Sequence, residues 1–85
     1  MNTDKNLSKA IGMLRAKFNV IPERYTIYNN AYLFWAFPPG MKESDKERYI
    51  GSTYLVDVRT KDIGPFSPAF DFDGFFKAAS NAKDI

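Results

Sequence analysis

The chain carries few side chains that could do chemistry. Its 85 residues include no histidine and no cysteine. A Ser-His-Asp or Cys-His arrangement is therefore excluded, and so is a thiolate nucleophile. The same absences exclude a disulfide and a zinc site of the usual kind. Only carboxylate, lysine and tyrosine chemistry remains, so we expect a protein that is not an enzyme and needs no cofactor and no metal.

Two acidic positions, the DFDG motif and Asp57, are the remaining candidates for a catalytic or metal site. The motif DFDG, Asp71 to Gly74, matches part of a calcium loop, but the third acid and the distal glutamate of such a loop are missing. Acids at the start of a helix explain it better. Asp57 lies between two valines in a strand-like stretch, and we expect it to point to the polar face or to pair with Arg59.

A third candidate is the aromatic stretch YNNAYLFWAFPPG, residues 28–40. Aromatic side chains on a sheet can stack on nucleic-acid bases. The basic and glycine-containing motif of such platforms is absent, and no lysine or arginine lies within the strand itself. We predict that these rings pack in a core, with a protein-binding surface or a nucleic-acid-binding surface as the alternatives.

Two amphipathic helices should frame the chain. Thr3 or Asp4 can cap the first, and Asn19 and Pro22 end it. Apolar residues recur in it with the helical period, at Leu7, Ala10, Ile11, Leu14 and Phe18. Ser67-Pro68 or Asp71 can start the second helix, which has an apolar stripe of Phe72, Phe75, Phe76 and Ala79. Residues 80–85 are predicted to be a frayed tail.

Three strands should lie between the helices as an antiparallel meander. Residues 25–28 and 31–37 flank Asn29-Asn30, two residues that tolerate the positive φ of a tight hairpin turn. The second strand is apolar on both faces, so it should be central and covered on both sides. Residues 54–59 form the third strand, and Ile63 begins a short fourth.

The order α-β-β-β-(β)-α predicts an α+β fold, a small antiparallel sheet of three or four strands with two helices. We expect one domain, residues 1–85, with an ordered core from about residue 4 to about residue 80.

The segment MKESDKER, residues 41–48, is charged and shows no apolar periodicity, so an exposed loop is predicted. A loop of this length in a small domain is either a solvated connector or functional. It ends in Arg48 and Tyr49, residue types that are enriched at interface hot spots. The candidate partner-binding residues are therefore Met41, Arg48 and Tyr49, with Trp35 and Phe66 if either is exposed.

Charge and hydropathy restrict the partner. The net charge is +2, which is weak for a nucleic-acid binder. No apolar run approaches the roughly 18 residues that span a bilayer, and the polar N-terminal stretch does not read as a signal peptide. We expect a cytoplasmic protein whose partner is another protein. Membrane is excluded, nucleic acid is the weaker alternative, and a homo-oligomer remains open.

A short pattern in the second half of the chain carries a family resemblance. After a glycine it reads apolar-Val-Asp-x-x-Thr-x-x-Ile, at Gly51, Leu55, Val56, Asp57, Thr60 and Ile63. With the N-terminal helix and the aromatic strand, this pattern resembles the small YrhB-like immunity proteins of bacterial polymorphic toxin systems. Lys61 departs from the family, which has a turn glycine there. The resemblance implies a stoichiometric inhibitor with no catalytic residues.

We therefore predict a small bacterial or phage-borne protein that inhibits a toxin or enzyme by occluding it. Three alternatives stay open. One is a phage-encoded inhibitor of host defence, and another is a structural or virion-associated subunit that self-assembles. The third is a weak nucleic-acid-binding module that uses the basic residues of the first helix, Lys5, Lys9, Arg15 and Lys17.

Overall fold

The fold is described here from a computed structural model, for residues 4–49 and 51–85. Its helices are α1 (Asp4–Lys17), α2 (Glu43–Lys46) and α3 (Phe72–Ala79), with a 3₁₀ turn at Pro68–Phe70. Its strands are β1 (Ile21–Tyr28), β2 (Ala31–Phe37), β3 (Thr53–Asp57), β4 (Asp62–Pro65) and β5 (Lys83–Asp84). All pair antiparallel in one sheet of order β4-β3-β2-β1-β5. The predicted α+β meander is confirmed.

The hairpin between β1 and β2 turns at Asn29-Asn30. Both residues have positive φ, 49° and 65°. A two-residue loop of this kind matches the right-handed twist of the flanking strands. The turn fixes the register, with Tyr28 opposite Ala31. β2 lies in the middle of the sheet, as its two apolar faces predict.

One face of the sheet packs against α1. Leu14 and Ala10 of α1 are fully buried, and they join Phe34 of β2 and Val56 of β3 in the main core. The rest of the predicted stripe, Leu7, Ile11 and Phe18, is partly buried against this core. The helical period in the sequence therefore identified the buried side of α1 correctly. The predicted cap at Thr3 lies outside the described residues, and the side chain of Asp4 is not described.

The other face of the sheet is covered by α3. The hydroxyl of Thr26 in β1 donates a hydrogen bond to the carbonyl of Ala78 at 2.7 Å. The ring of Phe75 lies 5.9 Å from that of Trp35 in β2. The predicted apolar stripe is only half right, because Phe72 and Phe76 are exposed. The helix turns Phe75 and Ala78 toward the sheet, and the other two phenylalanines point away from it.

The tail predicted after α3 is instead an edge strand. In β5, Lys83 pairs with Tyr25 and Asp84 with Arg24, and the amide of Ile85 donates to the carbonyl of Glu23 at 3.0 Å. These pairs satisfy backbone groups at the outer edge of β1, which would otherwise be open. The prediction of a frayed end was therefore wrong.

The turn after β3 begins two residues earlier than the sequence predicts. The carboxylate of Asp57 accepts hydrogen bonds from the backbone N–H groups of Arg59, at 2.9 Å, and Thr60, at 3.4 Å. Such local bonds compete with strand pairing. Lys61 then adopts a φ of 66°, a left-handed conformation that costs a non-glycine residue energy. The short fourth strand that was predicted from Ile63 is present as β4.

Candidate partner-binding surface

The segment that connects β2 to β3 is more ordered than the sequence suggests. It contains the one-turn helix α2, and its Lys46 is anchored, with only 15% of its side chain exposed. The ammonium forms ion pairs with Glu23 and, at 3.0 Å, with Glu43. It also lies 5.4 Å from the centre of the Phe37 ring. The hydrogen bonds that Lys46 donates, first to Glu23 and second to Glu43, raise the pKa of Lys46.

A β-bulge in β1 places Glu23 where it can pair with this lysine. Pro22 pairs with Ala36 and Arg24 pairs with Trp35, so Glu23 is an extra residue with no partner in β2. Bulges commonly re-aim a side chain. Here the carboxylate of Glu23 reaches Lys46, 23 positions further along the chain. The bulge thus ties the connecting segment to the sheet.

Aromatic rings border the anchored segment. Tyr49 packs on Phe37 with ring centres 6.0 Å apart. The guanidinium of Arg24 lies 5.4 Å from the ring of Trp35. Between these groups runs a groove of about 280 Å³, lined by Glu23, Arg24, Trp35, Phe37, Glu43, Lys46 and Glu47. We name this groove, together with Arg48 and Tyr49, the loop surface.

The predicted site residues are only partly brought together. Met41, Arg48 and Tyr49 belong to the anchored segment, and Trp35 borders the groove beside it. Met41 is half-buried. The side chain of Arg48 is 81% exposed and has only a 4.0 Å contact with Asp45. Phe66 does not line this groove.

Phe66 is held in the fold by several contacts. Its amide donates to the carbonyl of Thr53 at 2.9 Å, and its carbonyl accepts from the Thr53 hydroxyl at 2.6 Å. Its ring lies 5.0 Å from that of Tyr28 and 6.2 Å from that of Phe75. Phe66 is half-buried, and its contacts support the docking of α3 on the sheet.

Sequence reasoning missed three contributors to the loop surface: Glu23, Arg24 and Lys46. Glu23 and Arg24 follow Pro22 and precede the predicted strand, which starts at residue 25. Lys46 is one of several charges in a polar run. A proline inside a strand is a signal for a bulge or an edge, so Pro22 marks the bulge in β1 as well as the end of the first helix. The pairing of Lys46 with Glu23 has no local sequence signature.

The acids considered for chemistry have structural partners. The side chain of Arg59 bonds to Asp57 at 3.0 Å, which lowers the pKa of that carboxyl. Asp71 caps α3 by accepting from the amide of Gly74 at 3.1 Å. Its other oxygen accepts from the Tyr28 hydroxyl at 2.8 Å, which is the main cause of its lowered pKa. The DFDG motif is thus a helix start, as predicted.

Within residues 4–49 and 51–85, no group of three or more acids is arranged to hold a metal ion. In the same ranges, no helix has the length and apolar character needed to cross a membrane.

The chain was also compared with known proteins. No family model, no curated protein and no solved structure matches it.

Proposed function

We propose that this chain is a non-catalytic protein-binding domain that inhibits a toxin or enzyme by occluding it, in the manner of an immunity protein. The proposal places it in the cytoplasm of a bacterium or of a phage-infected cell. The observation that carries it is the anchored segment of the loop surface, in which the ion pair between Lys46 and Glu23 fixes the chain just before Arg48 and Tyr49.

Anchoring favours binding, because a disordered loop would lose conformational entropy when it meets a partner. Ordering a flexible side chain at an interface costs about 0.5–1.5 kcal/mol, and ordering a loop adds to that cost. Lys46 already bridges Glu23 and Glu43. Tyr49 is already packed on Phe37. A partner that meets this segment therefore contacts a surface that is largely preorganised.

The composition of the loop surface also suits a protein partner. Trp, Tyr and Arg are the residue types most enriched at hot spots, and here they are Trp35, Tyr49, Arg24 and Arg48. Glu43 and Glu47 line the same groove as Trp35 and Arg24, and they supply polar groups of the kind found at the rims of such interfaces.

The resemblance to YrhB-like immunity proteins supports the same function. Its one departure is Lys61, which stands in place of a turn glycine. With a φ of 66°, Lys61 adopts a conformation that glycine reaches without strain. The departure is therefore compatible with a turn of that shape.

Capture of a partner from lysate of the native host, after nuclease treatment and at moderate salt, tests the proposal. The tagged chain should retain one protein at 1:1 stoichiometry, identified by mass spectrometry. The variant Arg48→Ala plus Tyr49→Ala should bind that protein at least about 30-fold more weakly, equivalent to about 2 kcal/mol. Titration calorimetry with the purified pair measures the difference, and activity of the captured protein shows whether it is inhibited.

The matched control is Lys5→Ala plus Lys9→Ala, which removes two exposed side chains from α1. Circular dichroism should show both variants folded. Equal affinity of the folded Arg48/Tyr49 variant and the wild type would refute the role of the loop surface. Capture of an uninhibited protein would refute the inhibitor function. A phage anti-defence role differs only in the identity of the captured protein, which would be a host defence factor.

A second candidate function is suggested by the outer side of α1. Lys5, Lys9 and Arg15 are exposed there and have no ion pair within the described residues. Unpaired cations on one helix face suit weak binding to nucleic acid. In that case binding would fall steeply with salt, would be lost on nuclease treatment, and would be weakened by the α1 control variant instead.

A further inference from the structure

The outer side of α3 carries an exposed aromatic surface that neither the core nor the loop surface uses. We call Phe70, Phe72 and Phe76 the aromatic surface. They are 85%, 54% and 61% exposed. The rings of Phe72 and Phe76 are stacked, with centres 5.9 Å apart and planes within 15° of each other. Phe76 also lies 5.6 Å from Phe75, which connects the surface to the packed side of the helix.

The size of this surface is comparable to that of the largest apolar patch on a typical monomer. A phenylalanine contributes about 150–250 Å² when it is fully buried, so the exposed parts of the three rings offer roughly 300–500 Å² of apolar area. The largest apolar patch on a typical monomer is about 300–600 Å² and is often functional. Here it is made of aromatic rings on a single short helix and the turn before it, which favours an occupant that presents a similarly flat apolar face.

The charges beside the aromatic surface are complementary to those of a second, antiparallel copy of the same helix. α3 carries Asp73 in its first turn and Lys77 in its last turn. Both side chains are on exposed residues, and neither has an ion pair within the part of the chain that the structure describes. When two copies of a helix pack antiparallel, the first turn of each meets the last turn of the other.

We propose that two copies of this chain pair through the aromatic surface, with their α3 helices antiparallel. A two-fold axis near residue 75 places Asp73 of each copy opposite Lys77 of the other, which gives two equivalent ion pairs. The stacked Phe72 and Phe76 rings of the two copies meet between them. An interface of this kind is isologous, because one patch serves as both halves.

The area predicts a weak, reversible dimer. The rings of two copies would bury about 600–1,000 Å² in total, so that with neighbouring side chains the interface reaches roughly 1,000 Å², the low end of specific interfaces. Interfaces of this size are typical of transient encounters, so we expect a dimer that dissociates on dilution. This inference is independent of the function proposed for the loop surface, which lies at Arg48, Tyr49 and the groove beside them.

Sedimentation equilibrium from about 1 µM to about 500 µM tests the pairing. The wild type should change from monomer to dimer, with no larger species. Phe76→Ser should weaken the dimer at least tenfold. Ile21→Ser is the matched control, because Ile21 is also an exposed apolar residue, 43% exposed, and it lies at the start of β1. It should leave the dimer unchanged. Circular dichroism checks that both variants fold.

Charge reversal tests the antiparallel arrangement. Asp73→Lys makes both positions basic, and Lys77→Glu makes both acidic, so each variant alone should dimerise at least tenfold more weakly than the wild type. An equimolar mixture of the two should recover a dimer of about wild-type affinity, since every cross pair is then opposite in sign.

A wild type that stays monomeric at the highest concentration would refute the proposal and leave the surface to a different protein. A dimer that Phe76→Ser does not weaken would use another surface and would refute it as well. A mixture of the charge variants that stays monomeric would contradict the antiparallel arrangement.

Discussion

Replacing Leu14 by alanine tests whether the face of the sheet under α1 is the main source of stability. Leu14 is fully buried in the core with Phe34 and Val56. Substitutions of this kind cost about 2–5 kcal/mol, because the transfer energy of the lost methyl groups adds to the energy of the cavity that remains. An 85-residue domain has about 4–13 kcal/mol of stability in total. One change should therefore remove at least about 15% of it, and all of it if the total is at the low end.

Leu7→Ala is the matched control, since it is the same substitution in the same helix. Leu7 is only partly buried, so we expect a loss of about 1 kcal/mol. Urea unfolding followed by circular dichroism measures both. With a slope of about 1 kcal/mol per molar urea, Leu14→Ala should lower the midpoint by about 2 M or more. Equal losses for the two variants would show that burial under α1 does not determine stability.

Two further predictions concern the docking of α3. Thr26→Val removes the buried hydrogen bond to Ala78, so it should lower the free energy of unfolding by about 1 kcal/mol and speed amide hydrogen exchange in α3. Thr26→Ser keeps the bond, so its α3 amides should exchange as slowly as those of the wild type. Equal exchange in both variants would contradict the anchoring role of the hydroxyl. The pKa of Asp71 is held below its usual 3.8, mainly by the Tyr28 hydroxyl and next by the Gly74 amide. Its ionised form therefore adds stability above that pH, and this contribution is lost as the pH falls through the lowered value. The stability advantage of the wild type over Asp71→Asn should be constant near neutral pH and shrink below about pH 4. An advantage that does not change with pH in urea titrations would contradict this role.

The elements with strong local signals were predictable from the sequence. The helical period of α1 identified Leu14 as buried because α1 packs on the sheet along one stripe. Asn29-Asn30 indicated the hairpin, since few other residue pairs accept positive φ at two successive positions. The two apolar faces of β2 required cover on both sides, which indicated its central position.

The features that depend on distant partners were not predictable. β5 has two residues, and it is a strand only because Arg24 and Tyr25 offer an unpaired edge. The exposure of Phe76 depends on how α3 is rotated about its axis. That rotation is set by the contacts of Thr26 and Phe75 with groups far away in sequence.

The loop surface was predicted only in part for the same reason. Arg48 and Tyr49 are conspicuous because of their residue types. The order of their segment depends on Lys46 and Glu23, which are 23 positions apart. The bulge between Pro22 and Arg24 makes that pairing feasible. No periodicity in the sequence indicates the bulge.

The position of Trp35 gives the protein an internal optical reporter. It is the chain's single tryptophan, and it lies between the guanidinium of Arg24 and the ring of Phe75. Since Phe75 belongs to α3, departure of that helix from the sheet changes the polarity around the indole while the meander of β1 to β4 stays paired. Emission from Trp35 therefore follows the release of α3, and far-ultraviolet ellipticity follows the whole fold. A tryptophan transition at lower urea than the ellipticity transition would identify α3 as the part that opens first.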